Sequence, residues 1–295
     1  MSKKKNFTKV LTLQDLKRKN RTLRLLYIVL DILVAITLLR SIFRAEYSNV
    51  FVCVLTLALF TLPTTVEKSF KLKLPTTFEG LVLIFIFSAE IMGEINCYYQ
   101  RIANWDTVLH TINGFMFAAF GFALLDIINR KPQIKFNLSP LYFALVAFCF
   151  SMTIGVLWEF FEFGSDMLVH TDMQKDTYIK GVYTVILDDG PTNTVIPIEN
   201  IEKVVIYRNG NEPITLDAYI DIGLIDTMKD LFVNFLGAVC FSVIGFFYLK
   251  QRGKGKIASQ FIPTIVETSD SSTDALSSEK EKAPNDRGNV EGQKR

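Results

Sequence analysis

The stretch TVLHTINGFMFAAFGFALLDII, residues 107–128, decides the fold class. It is apolar along nearly its whole length and long enough to cross a hydrocarbon core of roughly 30 Å as one helix, which takes about 20 mainly apolar residues. Similar runs lie to either side at 24–43, 49–66, 78–97, 140–163 and 227–249. Together they predict an all-α membrane protein, a polytopic bundle of about six transmembrane helices. The run 49–66 is the shortest and ends near Leu62-Pro63. The connections 44–48, 67–77, 98–106 and 129–139 are short and polar, so neighbouring helices are expected to run antiparallel.

Composition agrees. Of 295 residues, 49% are hydrophobic and 25 are Phe, and the mean hydropathy is +0.27. The formal net charge is only +2, which gives no electrostatic footprint for nucleic acid, and the basic residues flank the apolar runs. Cys53, Cys97, Cys149 and Cys240 form no CxxC pair, and three sit inside apolar runs while Cys97 stands at the very end of one, so they read as small buried hydrophobes. No small-residue cleavage site follows the first apolar run, which is therefore expected to stay as a membrane helix.

Orientation follows from the excess of Lys and Arg on cytoplasmic segments. One set of segments carries the basic leader, then Lys68, Lys71 and Lys73, then Arg130, Lys131 and Lys135, then Lys250, Arg252, Lys254 and Lys256. The other set carries only Arg44 and Arg101 in its short loops. Both termini are thus expected in the cytoplasm of a bacterial cell, with the chain embedded in its membrane.

The chain divides accordingly. Residues 1–23 form a basic cytoplasmic leader, within which Val10–Lys19 has the pattern of a short amphipathic surface helix or of a solvated segment. Residues 24–163 hold the first five spans and 227–249 the sixth. Between them, 164–226 is a long extracytoplasmic insertion. Its runs 181–187, 204–207 and 214–216 read as strands, and Asn209-Gly210 reads as a hairpin turn. A small β-rich cap leaning on the helices is expected. The cytoplasmic tail, 250–295, is rich in Ser, Glu, Lys and Asp from about 257 and is expected to be disordered.

Ionisable side chains within membrane spans are costly and usually face a bundle interior or a water-filled cavity. Here they are ordered. Glu90 and Glu94 lie near the end of the third span. Asp106, His110 and Asn113 open the fourth on one helical face. Glu159, Glu162 and Asp166 end the fifth, and Asp226, Asp230 and Asn234 open the sixth. With the topology above, all four groups fall in the outer third of the membrane, and His110, Glu159 and Asp230 lie within roughly 5–10 Å of its outer boundary at the helical rise of about 1.5 Å per residue. Small residues at Gly114, Ala118, Gly121, Gly237, Ala238, Ser242 and Gly245 suit close helix packing. Asp31 lies nearer the middle of the first span and His170 in the insertion, both apart from the others. Trp105 and Trp158 suit an interfacial aromatic belt.

So many carboxylates cannot all be ionised together without a counter-charge. A divalent metal can bind, with His110, Glu159 and Asp230 as ligands. Some carboxyls can hold protons as acid/base groups or a relay. A cationic part of a substrate can enter instead. The expected pocket consists of Asp106, His110, Glu159, Glu162, Asp230 and Asn234, with Glu90 and Asp226 behind them. Each also has a structural reading, as a helix cap or an interhelical hydrogen bond.

Asp106-x3-His110 opening one helix, a late Glu in the next, and Asp226-x3-Asp230-x3-Asn234-x2-Gly237 opening the last resemble the VanZ-like family of small bacterial membrane proteins. Trp158-Glu159-Phe-Phe-Glu162 and Asp226-Thr-Met-Lys-Asp230 are similar to the YjdF-type group of uncharacterised inner-membrane proteins. The resemblance covers mainly the last three helices and implies a bacterial cell-membrane protein without a settled activity. The functional expectation is an outward-facing carboxylate and histidine pocket that acts on, or binds, a lipid-linked or envelope substrate. An ion-coupled transporter and a non-catalytic scaffold are the alternatives.

Overall fold

The computed structural model describes residues 21–70, 72–130, 138–251, 255 and 258–265. Most of the expected leader, including Val10–Lys19, and the tail beyond Ile265 lie outside the described residues.

The helices form where the apolar runs predicted them. Helix α1 is Arg21–Phe43. The second span is one apolar stretch, Tyr47–Phe70, divided into α2 (Tyr47–Leu59) and α3 (Leu62–Phe70). The division has a direct cause. Pro63 has no N–H to give the carbonyl of Leu59, and its ring crowds that carbonyl, so α2 stops there and the chain resumes a turn later.

The third span is also composite. Helix α4, Thr76–Phe87, runs straight into a π-helical segment, Ser88–Ile95. A short α5 (Tyr98–Arg101) follows, entered through Cys97 in the left-handed region. Helices α6 (Trp105–Arg130), α7 (Pro140–Val169) and α8 (Leu224–Lys250) complete the set. Five stretches among the described residues, α1, Tyr47–Phe70, α6, α7 and α8, are each long and apolar enough to cross a membrane; α4 with its π-helical continuation lies where the third run was expected. Helix α7 begins at Pro140, with Ser139 Oγ accepting from the Tyr142 N–H at 3.2 Å, the usual arrangement of proline in the first turn behind a serine cap.

Two apolar clusters hold the bundle. One joins α6, α7 and α8 around Phe122, Phe143, Phe241, Ala118 and Ala238. The other joins α1, α2 and α4 around Leu30, Val34, Cys53 and Leu83. Helices α6 and α8 touch backbone to backbone. A Cβ at Gly114 would collide with the Asn234 carbonyl, and one at Gly237 with the Thr111 carbonyl. The small-residue stripes therefore act as the sequence suggested, letting two helices approach closely.

The insertion is shorter than expected at both ends, because α7 continues to Val169 and α8 starts at Leu224. His170, with φ 63°, ends α7 in the left-handed region. The insertion is built of antiparallel two-stranded ladders. Strand β2 (Tyr178–Ile179) pairs with β7 (Tyr219–Ile220), β3 (Val182–Thr184) with β4 (Ile196–Ile198), and β5 (Val204–Arg208) with β6 (Asn211–Leu216). The β5–β6 hairpin turns at Asn209-Gly210, with Gly210 at φ 72°. The expected strand over 181–187 ends at Thr184, after which the chain turns.

The expectation of a disordered tail from about 257 fails for residues 258–265. A 3₁₀ turn spans Ala258–Gln260, and β8 (Thr264–Ile265) pairs antiparallel with β1 (Leu72–Lys73). Ile262 is buried in the α6–α7–α8 cluster, and the Phe261 ring meets Phe115 edge to face at 5.0 Å. Phe261 and Ile262 are apolar anchors inside an otherwise polar tract, and their burial orders the segment.

Candidate functional site: a buried imidazole among carboxylates

Helices α6, α7 and α8 bring their polar stripes to one end of the bundle. His110, on α6, is at the centre. Its Nε2 lies 3.4 Å from Asp106 Oδ1, one turn earlier on the same helix, and 3.9 Å from Asp230 Oδ2 on α8. Its Nδ1 lies 3.8 Å from Glu159 Oε1 on α7. Asp230 is 1% exposed, Glu159 4%, Glu162 7% and His110 8%, so little of this charge reaches the surface.

Asp230 Oδ1 and Glu159 Oε2 are buried without a hydrogen-bond partner. Buried polar atoms are rarely left this way, because each costs about 1–3 kcal/mol. The nearest contacts of His110 are all longer than an ordinary N–H···O bond of about 2.9 Å. The group has the spacing of an open coordination shell more than that of a closed hydrogen-bond network. One donor atom from each of Asp106, His110 and Asp230 lies within 4.8 Å of the others. Ligands around a tetrahedral ion with bonds near 2.1 Å stand about 3.4 Å apart, close to the two separations at Nε2.

The structure thus groups Asp106, in place of the expected Glu159, with His110 and Asp230. Glu159 faces the opposite ring nitrogen. A carboxylate on the far nitrogen of a metal-binding histidine fixes the tautomer that leaves the near nitrogen free to coordinate. Four carboxyl groups, Asp106, Glu159, Glu162 and Asp230, surround one imidazole, so a divalent cation would supply the missing counter-charge.

The other expected residues are placed as follows. Glu162 accepts a hydrogen bond from Trp158 Nε1 at 2.8 Å, so Trp158 serves the site as well as the surface. Asn234 lies one turn beyond Asp230. Its Oδ1 is 3.4 Å from Asn113 Nδ2, and its Nδ2 is 3.6 Å from Met152 Sδ. Gly155 leaves room for it, since a Cβ there would press on the Asn234 amide. Asn234 is itself 1% exposed, a buried amide on the inner side of the cluster. Asp226 is engaged elsewhere, accepting from the Lys175 N–H at 2.9 Å. Asp166 accepts from the Met173 and Gln174 N–H groups at 2.7 and 2.8 Å. Both tie the root of the insertion across the ends of α7 and α8. Glu90 is half-buried and Glu94 exposed on the π-helical segment, and among the described residues neither pairs with His110. Asp31 is exposed on α1, and His170 is exposed at the end of α7.

Tyr99 was not apparent from the sequence. Its ring packs where a Cβ of Gly93 would stand. Burial raises its phenol pKa, and the nearby charges of Asp106, Glu94, Glu90 and Glu162 raise it further, which keeps the hydroxyl protonated beside the carboxylates. Only the adjacent pair Tyr98-Tyr99 in a short loop hinted at it, because the fold back from the π-helical segment is what aims it.

No solved structure matches this chain. An uncharacterized protein of Thermotoga maritima is 24% identical over 192 residues, covering 65% of this chain and 72% of the relative. A family profile described as predicted membrane protein, DUF2238, matches residues 25–251, which takes in every helix described here except the first residues of α1. With its multiple apolar helices and its match over most of its length, the chain belongs to the DUF2238 family of membrane proteins.

Proposed function

We propose that this protein holds a divalent metal ion at one membrane face and uses it on a lipid-linked or envelope substrate. Asp106, His110 and Asp230 are the ligands. Glu159 orients the imidazole through Nδ1. Three protein ligands leave a coordination position open, the pattern of catalytic rather than structural metal sites. A divalent ion held by these three residues would supply Lewis-acid chemistry, polarising a carbonyl or phosphoryl oxygen or lowering the pKa of a water at its open position. Glu162, a buried carboxyl on the same helix as Glu159, is assigned the proton exchange. By the distribution of Lys and Arg this face is the extracytoplasmic one of a bacterial cell membrane, the termini are cytoplasmic, and the insertion roofs the site. The order of Asp106, His110, Glu159, Asp230 and Asn234 on successive helices supports a relation to YjdF-type and VanZ-like proteins.

The observation that carries this reading is the convergence of three donor atoms within 4.8 Å beside buried carboxylate oxygens without partners. The test is metal content of the purified protein by mass spectrometry. Stoichiometric divalent metal in the wild type, lost in His110→Ala and in Asp230→Asn, is expected. A metal-free wild type that neither binds added zinc nor gains stability from it overturns the reading. Incubation with membrane lipid extract then identifies the substrate as a species consumed by the wild type and spared by Asp230→Asn.

An ion-coupled transporter needs a polar path onward from the site. Beyond Asn234 the interior of α6–α8 is filled by Ala118, Ala119, Phe122 and Phe241, each at most 1% exposed. That apolar plug favours a one-sided site.

A further inference from the structure

The seam between α7 and α8 is open at the end remote from His110. Leu141, Ala144 and Phe148 recur at helical spacing on α7, facing Phe235, Ser242 and Phe247 on α8, and they line a groove of about 500 Å³. Its floor is small: Ala144 is 8% and Ser242 7% exposed, while the rim residues Leu141 and Phe247 are 67% and 49% exposed. It therefore opens sideways, toward the surrounding lipid, and its size is that of pockets that hold small molecules.

Three features identify the occupant. At one end the rings of Phe148 and Phe235 meet edge to face at 5.4 Å and bound the lined stretch near the middle of α8. From Phe235 to Phe247 the groove follows α8 for about 18 Å at the helical rise, close to the roughly 15 Å that one leaflet contributes to the hydrocarbon core. At the open end stands the exposed Lys250, whose Nζ lies 5.7 Å from the centre of the Phe246 ring on the groove wall. An open apolar groove about one leaflet long, with a cation at one end, matches one molecule: a lipid with an anionic head group.

We propose that the α7–α8 groove binds one acyl chain of an anionic phospholipid from the leaflet on the Lys250 side, with its phosphate at the Lys250 ammonium. The lining of the groove ends at Phe148 and Phe235 and includes no residue of the His110 cluster, so this lipid is a component of the fold and not the substrate proposed above.

The test uses full-length protein in mild detergent, equilibrated with phosphatidylglycerol or with phosphatidylcholine of the same chains, and native mass spectrometry to count retained lipids. One tightly held phosphatidylglycerol is expected, favoured over phosphatidylcholine by about fivefold, the weight of one cation near a membrane surface. Lys250→Gln, an exposed change that spares the fold, is expected to abolish that preference. Ala144→Phe fills the floor and is expected to release the lipid. Equal retention of the two lipids by the wild type overturns the proposal, as does an unchanged preference in Lys250→Gln. A folded Ala144→Phe protein that keeps its lipid overturns it too. Metal content in Lys250→Gln should equal that of the wild type, which separates this result from the fate of the metal site.

Discussion

At His110 the two ring nitrogens face different carboxylates, and this division assigns different roles to Asp106 and Glu159. On the proposed ligand set, Asp106→Asn removes a ligand and is expected to leave the purified protein without stoichiometric metal. Glu159→Gln keeps the ligand set and disturbs only the orientation of the ring, so metal should remain with affinity lowered by about 10–100-fold. Titration with a competing chelator distinguishes the two. Equal, complete loss in both variants would make Glu159 a ligand. The Asn234 amide depends on a neighbour's lack of a side chain. Gly155→Ala drives a methyl into it, and overpacking of this kind costs about 1–3 kcal/mol, read as a lower midpoint of thermal unfolding in detergent.

Among the elements, the α6–α8 pair sets how close Asp106 and His110 come to Asp230. Gly114→Ala and Gly237→Ala each place a methyl against a carbonyl of the partner helix. Each is expected to destabilise by about 1–3 kcal/mol and to weaken metal binding as the helices part. A Gly164→Ala control, with nothing within 4 Å, should do neither. The root of the insertion is held by a different device. Burial raises the pKa of the Asp221 carboxyl, but hydrogen bonds from the Thr177, Ile225 and Gly223 N–H groups outweigh that and leave it below the ordinary aspartate value. A depressed carboxyl contributes stability that is complete above its unfolded-state pKa of about 3.9 and is lost as pH falls through the lower folded-state value. Hydrogen exchange at Thr177 and Ile225 should therefore accelerate below about pH 4 relative to the rest of the insertion, and Asp221→Asn should show no such step.

For the whole molecule, the two apolar clusters stabilise the bundle whether or not metal is bound, while the carboxyl groups around His110 cannot all be ionised together without a counter-charge. Metal bound only to the folded state adds stability by mass action, about 4 kcal/mol when free metal exceeds the dissociation constant a thousandfold. Chelation is expected to lower the unfolding midpoint of the wild type and to leave that of His110→Ala unchanged. A wild-type midpoint indifferent to chelator and to added zinc would count against the metal.

Much of this was legible in the chain itself. Apolar runs such as 107–128 specify spanning helices, because in a bilayer every backbone polar group must bond within its own segment. The polar residues three or four apart on each span placed His110, Asp230 and Glu159 at one level by helical geometry alone, and Asn209-Gly210 marked its hairpin through the conformation glycine permits. Other features depended on contacts between segments distant in sequence. Which carboxylate faces which nitrogen of His110 follows from how α6, α7 and α8 rotate about their axes, and the Gly114 and Gly237 contacts set that rotation. The order of residues 258–265 depends on Phe261 and Ile262 finding an apolar surface made by other helices. The root of the insertion is tied by Asp166 and Asp226, whose partners are backbone N–H groups that no pattern of side chains could reveal. Local periodicity determined the helices; tertiary packing decided which side chains meet at His110, because those distances are set only by neighbouring elements.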